Sequence, residues 1–244
     1  MSRTLGDLSG SRIVLTGATG GVGRAVARRL AASGAKLALI GRRLEVLAEL
    51  ASELDADSIA GELVDGQFIE GVPLELERLW GAPPDVLVNN AGEFGIAQVT
   101  DTDPEDFERT LAVNLRAPFE LTRAVLPGML HRGTGQVVNI GSIAGRVGFP
   151  GNAAYSASKF GLRGLHKVLV EELRGTGVKA TWIEPSAIDT PLWDALDPDG
   201  RSDLPSRSEM LRPEAVADAV SFAVAQPYEV NIEEVVIRAN PRSG

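Results

Sequence analysis

The fold is decided by a glycine-rich stretch near the amino terminus, Thr16-Gly17-Ala18-Thr19-Gly20-Gly21-Val22-Gly23. It follows a short apolar run and leads into a helical pattern that carries Ala25, Val26 and Leu30. Glycines at positions 17, 21 and 23 allow a tight turn, close approach of backbone amides to a pyrophosphate, and close packing of helix on strand. A plain connection between a strand and a helix is the alternative interpretation of this stretch.

Outward from this stretch, short β-branched apolar runs alternate with longer helical patterns along the chain. Strands are predicted at residues 12–16, 36–40, 59–65, 85–88, 136–140, 178–184 and 234–238. Strands that alternate with helices form a parallel sheet that is covered on both faces. The sequence therefore predicts an α/β fold in which residues 1–244 form one domain around a doubly wound, Rossmann-type sheet of seven parallel strands.

Composition and charge exclude several classes of protein. Hydrophobic residues make up 44% of the 244 residues and charged residues 23%, which is typical of a globular domain and excludes a disordered chain. The 24 basic and 33 acidic residues give a net charge of -9, which argues against a nucleic-acid partner. The chain has no cysteine and two histidines, so no metal site is expected.

Membrane association is not expected either. The first ten residues lack the apolar core of a signal peptide, and no run of about 18 apolar residues occurs in the chain. We therefore expect a cytoplasmic protein.

A helix is predicted to begin at Pro104, because Asp103 suits the N-cap position and acidic residues follow in the first turn. It runs towards Leu126 and contains Pro118, which has no amide to pair with the carbonyl of Asn114. The sequence therefore predicts a kink, with a free backbone oxygen at Asn114.

A long connection follows the sixth predicted strand. Residues 186–212 are rich in Asp, Pro, Ser and Gly, and connections of this length usually serve a function. We predict that this segment is a lid over a substrate site. Trp193 is either an anchor of the lid or a substrate contact.

Two arginines, Arg42 and Arg43, follow the second predicted strand. An acidic residue at that place usually binds the 2′-hydroxyl of an adenosine ribose, but Gly41 stands there instead. A guanidinium group suits a 2′-phosphate, so NADP(H) is predicted in preference to NAD(H). The alternative is a solvated pair at the start of a helix.

The strongest candidate catalytic set is Ser142, Tyr155 and Lys159. Tyr155 and Lys159 lie one helical turn apart on the same face. A nearby ammonium group is expected to lower the phenol pKa from its usual value of about 10, so that Tyr155 can transfer a proton, while Ser142 stabilises an alkoxide. With a hydride from a nicotinamide, this set would reduce a carbonyl. Packing of Tyr155 and a turn role of Ser142 are the alternatives.

The ordered set of motifs resembles the short-chain dehydrogenase/reductase family over essentially the whole chain. It consists of Thr16 to Gly23, Asn89-Asn90-Ala91-Gly92, Asn114, Ser142, and Tyr155 with Lys159. The resemblance implies that Tyr155 is the catalytic acid and base, that Lys159 also binds the nicotinamide ribose, and that Asn114 holds a water in a proton relay. For Asn114, a role in the kink alone is the other interpretation.

The resemblance also implies a set of cofactor-binding residues, with Asp65 at the adenine ring and Ile188 and Thr190 at the nicotinamide amide. The set is Gly17, Thr19, Gly20, Gly21, Val22, Gly23, Arg42, Arg43, Asp65, Asn90, Ala91, Gly92, Tyr155, Lys159, Ile188 and Thr190. Two departures from the family pattern stand out. Ser186 replaces the usual glycine after Pro185, and the stretch from Asp65 to Asn89 is short, so its helix around residues 74–80 is expected to be abbreviated.

The expected partner is a small carbonyl or alcohol substrate, in a pocket of mixed apolar and charged residues. These are Glu93, Phe94, Ile96, Arg146, Val147, Phe149, Asn152, Leu192 and Trp193. His166, near the face of Tyr155, is expected to be structural. A regulatory protein that binds NADP(H) without turnover is the alternative function.

Small residues on the Tyr155 helix predict a groove on the side opposite that tyrosine. They are Ala157, Gly161 and Gly164, followed by Val168. The groove could pack on the kinked helix of the same subunit or on another subunit. Because members of the resembled family commonly pair through these helices, we expect a homodimer or homotetramer.

Overall fold

The computed structural model describes residues 7–240. Within them the strands are β1 Arg12–Thr16, β2 Lys36–Gly41, β3 Asp57–Ala60, β4 Val86–Asn89, β5 Gly135–Ile140, β6 Val178–Pro185 and β7 Glu234–Ile237. The α-helices in the same range are α1 Gly21–Ala32, α2 Leu44–Leu54, α3 Gly66–Trp80, α4 Pro104–Leu111, α5 Ala117–Arg132, α6 Ala153–Glu172 and α7 Pro213–Val224. None of these helices is long and apolar enough to span a lipid bilayer.

The seven strands form one parallel sheet in the order β3-β2-β1-β4-β5-β6-β7. This arrangement confirms the predicted doubly wound fold. The chain builds outward from β1 in one direction and then returns to build outward from β4 in the other. In such sheets, ligands bind outside the carboxyl ends of the strands at the point where the order reverses. That point lies between β1 and β4.

Alternate residues of the strands feed two separate hydrophobic cores. Ile13 and Leu15 of β1 face the core that α1, α2 and α7 cover, whereas Val14 faces the core that α3, α5 and α6 cover. Both faces of the inner strands are therefore buried. This explains why those strands are continuous apolar runs in the sequence, without alternating polar residues.

Strand β3 and helix α3 differ from their predicted bounds, whereas the other six strands agree to within one residue at each end. The predicted strand at 59–65 is in fact Asp57–Ala60, an edge strand in which only Ile59 is buried. Asp65 instead caps α3, because its carboxylate accepts a hydrogen bond of 2.9 Å from the amide of Gln67. The expectation of an abbreviated helix is wrong, because the early end of β3 leaves room for 15 helical residues.

The kinked helix begins as predicted, with Asp103 accepting a 2.8 Å hydrogen bond from the amide of Glu105. A π-helical turn, Ala112–Arg116, separates α4 from α5, and the amide of Ala117 donates to the carbonyl of Ala112 five residues earlier. The predicted interruption next to Pro118 thus takes the form of an extra residue in one turn. Asn114 lies inside that turn and is fully buried.

The segment predicted as a lid is ordered by short 3₁₀ turns and by ion pairs. Ile188 forms a parallel β-bridge with Leu211, which fastens the beginning of the segment to its end. Arg207 donates to the carboxylates of Asp189 and Asp194. These contacts fix the shape of the segment, and Thr190, Leu192 and Trp193 within it line the cleft described below.

Candidate active site

A cleft of about 1230 Å³ opens at the carboxyl ends of the central strands. It brings together most of the residues that the sequence analysis assigned to catalysis and cofactor binding. Those lining it are Gly17, Thr19, Gly20, Gly21, Val22, Gly23, Arg42, Arg43, Asn90, Ala91, Gly92, Ser142, Tyr155, Lys159, Ile188 and Thr190. Asp65 and Asn114 do not line the cleft.

The turn between β1 and α1 requires glycine for steric reasons. Gly17 has a φ of +65°, and a Cβ there would lie 2.7 Å from the Cα of Ala91. A Cβ at Gly23 would lie 2.1 Å from the carbonyl oxygen of Gly17. Within the described residues, no side chain caps the amino terminus of α1, and its first turn has no acidic residue. Its free amides therefore face the cleft and favour an anion.

The end of β4 is fastened to this turn by Thr16. Its hydroxyl oxygen accepts hydrogen bonds of 3.0 Å from the amides of Asn90 and Ala91. The side chain of Asn90 in turn donates to the carbonyl of Thr16 at 2.9 Å. No role was predicted for Thr16 itself, although a threonine at the end of an otherwise apolar strand indicates a side chain with a polar role.

Arg42 and Arg43 stand at the end of the cleft where β2 finishes. Arg43 donates to the carbonyl of Thr19 at 2.8 Å, so it packs onto the glycine-rich turn. Arg42 forms an ion pair of 3.4 Å with Glu93 and remains 57% exposed. Both arginines are exposed and line the cleft, so both are accessible to a ligand there.

Asp65 is not placed at the cleft. As the exposed cap of α3 it lies five residues beyond the end of β3. The residues that come directly after β3, including Glu62 and Leu63, line the cleft in its place. The structure thus places Asp65, which the resemblance assigned to the adenine ring, at the start of a helix rather than at the end of a strand.

Ser142, Tyr155 and Lys159 meet at the inner end of the cleft. Tyr155 and Ser142 both line this part of the cleft. The Lys159 ammonium donates to the carbonyl of Ile140 at 3.0 Å and lies 5.7 Å from the centre of the Tyr155 ring. A phenol, a hydroxyl and a buried ammonium group thus surround one small volume.

Burial governs the protonation of Tyr155 and Lys159. Burial raises the pKa of Tyr155, and the side chain of Ser142 opposes that rise only in part. Burial also lowers the pKa of Lys159 to about 8. The net lowering of the phenol pKa that was expected is not found, because burial outweighs the groups that stabilise the phenolate. At neutral pH the phenol keeps its proton and most of the lysine is charged, which suits donation of a proton by Tyr155.

Asn114 lies behind the cleft and joins two of its walls. Its side-chain oxygen accepts a 2.8 Å hydrogen bond from the amide of Glu93, and its nitrogen donates to the carbonyl of Glu93 at 2.9 Å. The same nitrogen donates to the hydroxyl of Ser158 at 3.0 Å, and Ser158 donates to the carbonyl of Tyr155. The Asn114 side chain therefore ties the end of β4 to the helix that carries Tyr155.

A buried charge cluster behind the site was missed by the sequence analysis. Glu184 is fully buried and accepts hydrogen bonds from Trp182, Arg146, Arg163 and Arg238. Burial opposes its ionisation, but these donors outweigh that effect and lower the pKa of Glu184. In the sequence, a glutamate within a largely apolar strand was the feature that could have indicated this cluster.

This cluster corrects part of the predicted substrate pocket. Arg146 turns away to Glu184 and Glu234, so neither it nor Val147 lines the cleft. His166 packs against Trp182 at 5.4 Å between ring centres, and burial lowers its pKa to about 4. A neutral, buried imidazole is structural, as expected.

The substrate side of the cleft has an aromatic wall. The Phe94 ring meets that of Tyr155 edge to face at 5.0 Å and that of Trp193 at 4.8 Å. Phe149 and Leu192, both exposed by more than two-fifths, line the same region. Trp193 is thus both anchored on Phe94 and present in the wall. The other predicted pocket residues that line the cleft are Glu93, Ile96 and Asn152.

The small-residue groove on α6 divides into two parts. A Cβ at Gly161 would lie 2.8 Å from the side chain of Leu115, so this part packs on the kinked helix of the same subunit. A Cβ at Gly164 would meet no atom of residues 7–240 within 4 Å, and the neighbouring Val168 is 54% exposed. The second part is therefore open on the surface of the described chain.

Comparison with known protein families gives a match to the short chain dehydrogenase family over residues 11–200. The chain belongs to this family. Its match begins at the residue before β1 and extends into the segment that follows β6, so it covers every motif described above.

Individual relatives of this short-chain dehydrogenase agree with that assignment. An uncharacterised oxidoreductase of Staphylococcus epidermidis is 32% identical over 92% of this chain and 95% of its own length. Glycine betaine reductase of Emericella nidulans is 37% identical over 95% of this chain, but the chain spans only 19% of that protein. The crystal structure of a metagenomic short-chain oxidoreductase in complex with NADP is 32% identical, with a TM-score of 0.82 over 96% of this chain and 99% of that one.

Proposed function

We propose that this oxidoreductase uses NADP(H) to interconvert a carbonyl compound and a secondary alcohol, with Tyr155 transferring the proton. The observation that carries the proposal is the placement of Tyr155. It lines the same cleft as Ser142, the buried Lys159 and the free amino terminus of α1. Hydride transfer to a carbonyl carbon needs a proton for the oxygen, and this phenol can provide it.

The residues of the cleft fit a nicotinamide dinucleotide phosphate. The uncapped start of α1 offers amides to a pyrophosphate, and the glycines before it leave no Cβ in the way. Arg42, more than half exposed, would hold the 2′-phosphate, with Arg43 beside it. The relative that was crystallised with NADP supports this choice of cofactor. Asn90, Ala91, Gly92, Ile188 and Thr190 would complete the site.

The cofactor, when bound, supplies the hydride. The hydroxyl groups of Tyr155 and Ser142 would both donate to the carbonyl oxygen, so that negative charge is stabilised as it develops. The Tyr155 proton then moves to that oxygen and completes the alcohol. The phenolate left behind is stabilised by the Lys159 ammonium, whose buried position strengthens the attraction. In the oxidation direction, the same proton returns to Tyr155.

The aromatic wall supports a carbonyl substrate with an apolar or aromatic substituent. Phe94, Trp193 and Phe149 give this part of the cleft large apolar surfaces, on which such a substituent is buried favourably. We therefore infer that aryl and branched alkyl ketones bind better than small hydrophilic ones.

Transfer of a deuterium label tests the proposed reaction. The enzyme is incubated with a panel of ketones and aldehydes and with NADPH deuterated at the transferable position, and the alcohol product is examined by mass spectrometry. One deuterium at the carbinol carbon, with aryl ketones among the better substrates, is the expected result. If no member of the panel gains the label while NADPH still binds, the proposal is wrong.

We also propose that the chain assembles as a homodimer or homotetramer. Exposed apolar side chains accompany the open part of the α6 groove, namely Phe160 and Val168 on the same helix, and Phe119 is exposed on α5. Burial of such a surface against a second copy would stabilise an assembly. Light scattering of the wild type and of Val168→Asp tests this. The wild type is expected to be an oligomer and the variant to dissociate, and a monomeric wild type at micromolar concentration contradicts the proposal.

A further inference from the structure

Glu93 holds two arginines at the edge of the cleft. Its carboxylate lies 3.4 Å from a terminal nitrogen of Arg42 and 2.8 Å from Nε of Arg109. The Glu93 side chain is only 17% exposed, whereas those of Arg42 and Arg109 are both more than half exposed. The carboxylate is thus the fixed centre of the group, and the two arginines are its more mobile partners.

The backbone of Glu93 is fixed as well. Its amide and its carbonyl are both hydrogen-bonded to the buried side chain of Asn114. Glu93 lies four residues beyond the end of β4, while Arg42 follows β2, and β1 lies between those two strands. The ion pair between Arg42 and Glu93 therefore crosses the mouth of the cleft, above the strand that leads into the glycine-rich turn.

We propose that Glu93 determines how strongly the enzyme prefers NADP(H) over NAD(H), because its carboxylate competes with the 2′-phosphate for Arg42. This inference rests on the proposed function, in which Arg42 is the ligand of the 2′-phosphate. A phosphate that binds Arg42 must either draw the guanidinium away from Glu93 or accept a second anion beside it. Either event opposes binding of the phosphorylated cofactor and leaves a 2′-hydroxyl almost unaffected.

Arg109 sets the strength of that competition. It neutralises part of the Glu93 charge from the side of α4 and is not among the residues that line the cleft. While Arg109 is paired with Glu93, the carboxylate holds Arg42 less strongly. Removal of Arg109 should therefore leave Arg42 more tightly bound to Glu93 and less available to the 2′-phosphate.

Substitutions of Glu93 and of Arg109 should change the affinity for NADPH in opposite directions. Glu93→Gln keeps the size of the side chain and removes its charge, so it should lower the Kd of NADPH by about fivefold, as expected for a partly exposed ion pair, and leave the Kd of NADH nearly unchanged. Arg109→Gln should raise the Kd of NADPH by about twofold. In the double variant, Arg109→Gln should have no further effect, because the charge through which it acts is gone.

Isothermal titration calorimetry of the intact enzyme tests this with NADPH and NADH, and with 2′,5′-ADP and 5′-AMP as fragments. The expected result is tighter binding by Glu93→Gln of the two ligands that carry a 2′-phosphate. Equal changes for ligands with and without the phosphate, weaker NADPH binding by Glu93→Gln, or an effect of Arg109→Gln that persists in the double variant would each overturn the inference.

Arg42→Ala separates this inference from the proposed function. If Arg42→Ala weakens NADPH far more than NADH and Glu93→Gln leaves both unchanged, the competition is wrong and the cofactor assignment stands. If Arg42→Ala affects both cofactors equally, Arg42 does not bind the 2′-phosphate, and the inference fails together with that assignment. Arg109→Gln provides an independent arm should Glu93→Gln fold poorly, because its change lies outside the cleft.

Discussion

Replacement of Lys159 by methionine should stabilise the fold at neutral pH, by an amount that shrinks as the pH rises. Burial lowers the pKa of Lys159 from 10.5 to about 8, which means that the charge on this lysine destabilises the folded protein. Methionine keeps the length of the side chain and removes the charge. It also leaves the carbonyl of Ile140 without the ammonium donor that it has at 3.0 Å.

The size of the effect follows from the pKa difference. Each pKa unit corresponds to about 1.4 kcal/mol, so the shift of Lys159 is equivalent to about 3 kcal/mol of folding free energy. Below pH 8 the lysine is charged in both states and the full penalty is present. Between pH 8 and 10.5 the unfolded chain binds more protons than the folded one, so the stability of the wild type rises with pH.

Urea denaturation measures this directly, followed by tryptophan fluorescence at a fixed protein concentration. The free energy of unfolding of Lys159→Met minus that of the wild type should fall by about 3 kcal/mol between pH 8 and pH 10.5. It falls because the wild type becomes more stable as Lys159 loses its charge. The loss of the Ile140 hydrogen bond is nearly the same at each pH and does not contribute to this change. Lys167→Met, at an exposed position of the same helix, is the control and should show no such trend. A constant difference between Lys159→Met and the wild type across this range would refute the reasoning.

Three further changes test other parts of the structure. Glu184→Ala leaves three arginines without their shared buried anion and should lower the free energy of unfolding by about 3 kcal/mol in urea titrations. Because the Glu184 pKa is lowered in the folded protein, the wild type should lose this extra stability as the pH falls through that pKa. Gly23→Ala forces a methyl group to within 2.1 Å of the Gly17 carbonyl oxygen, so NADPH binding should weaken by at least about tenfold in calorimetry. The control is Gly164→Ala, whose methyl group meets no described atom within 4 Å, and it should bind NADPH as the wild type does. Phe94→Ala removes the centre of the aromatic wall and should raise KM for an aryl ketone by about tenfold with little change in the Kd of NADPH; equal changes in both constants would contradict its placement.

The inner part of the fold could be predicted because its signals are local. The apolar runs of β1 and β5 are buried on both faces, and Gly17, Gly21 and Gly23 stand where a Cβ would clash with its neighbours. Asp103 and Pro104 likewise fix the start of α4 through their own backbone preferences. At the edge of the sheet such signals are weak. Strand β3 buries only Ile59, so its apolar pattern does not show where it ends.

Side-chain direction was the part of the site that the sequence could not provide. Arg146 was predicted to line the substrate pocket, but the buried carboxylate of Glu184, 38 residues later in the chain, attracts it elsewhere. The interaction of Arg42 with Glu93 joins residues 51 positions apart and was invisible for the same reason. Tyr155 and Lys159 are close in sequence and on one helix, and for that reason their meeting could be predicted.

The most direct test of the central claim is the rate of hydride transfer in Tyr155→Phe. NADPH is bound to the enzyme first, an aryl ketone is added, and the loss of NADPH absorbance in a single turnover is followed in the wild type, in Tyr155→Phe and in Tyr228→Phe. Tyr228 is the other tyrosine of the chain, and it donates to the carbonyl of Gly133. We predict that Tyr155→Phe slows the turnover by about 10²–10⁴-fold while it binds NADPH as the wild type does, and that Tyr228→Phe does not slow it. A Tyr155→Phe variant that transfers hydride at the wild-type rate would contradict the proposed role of this residue.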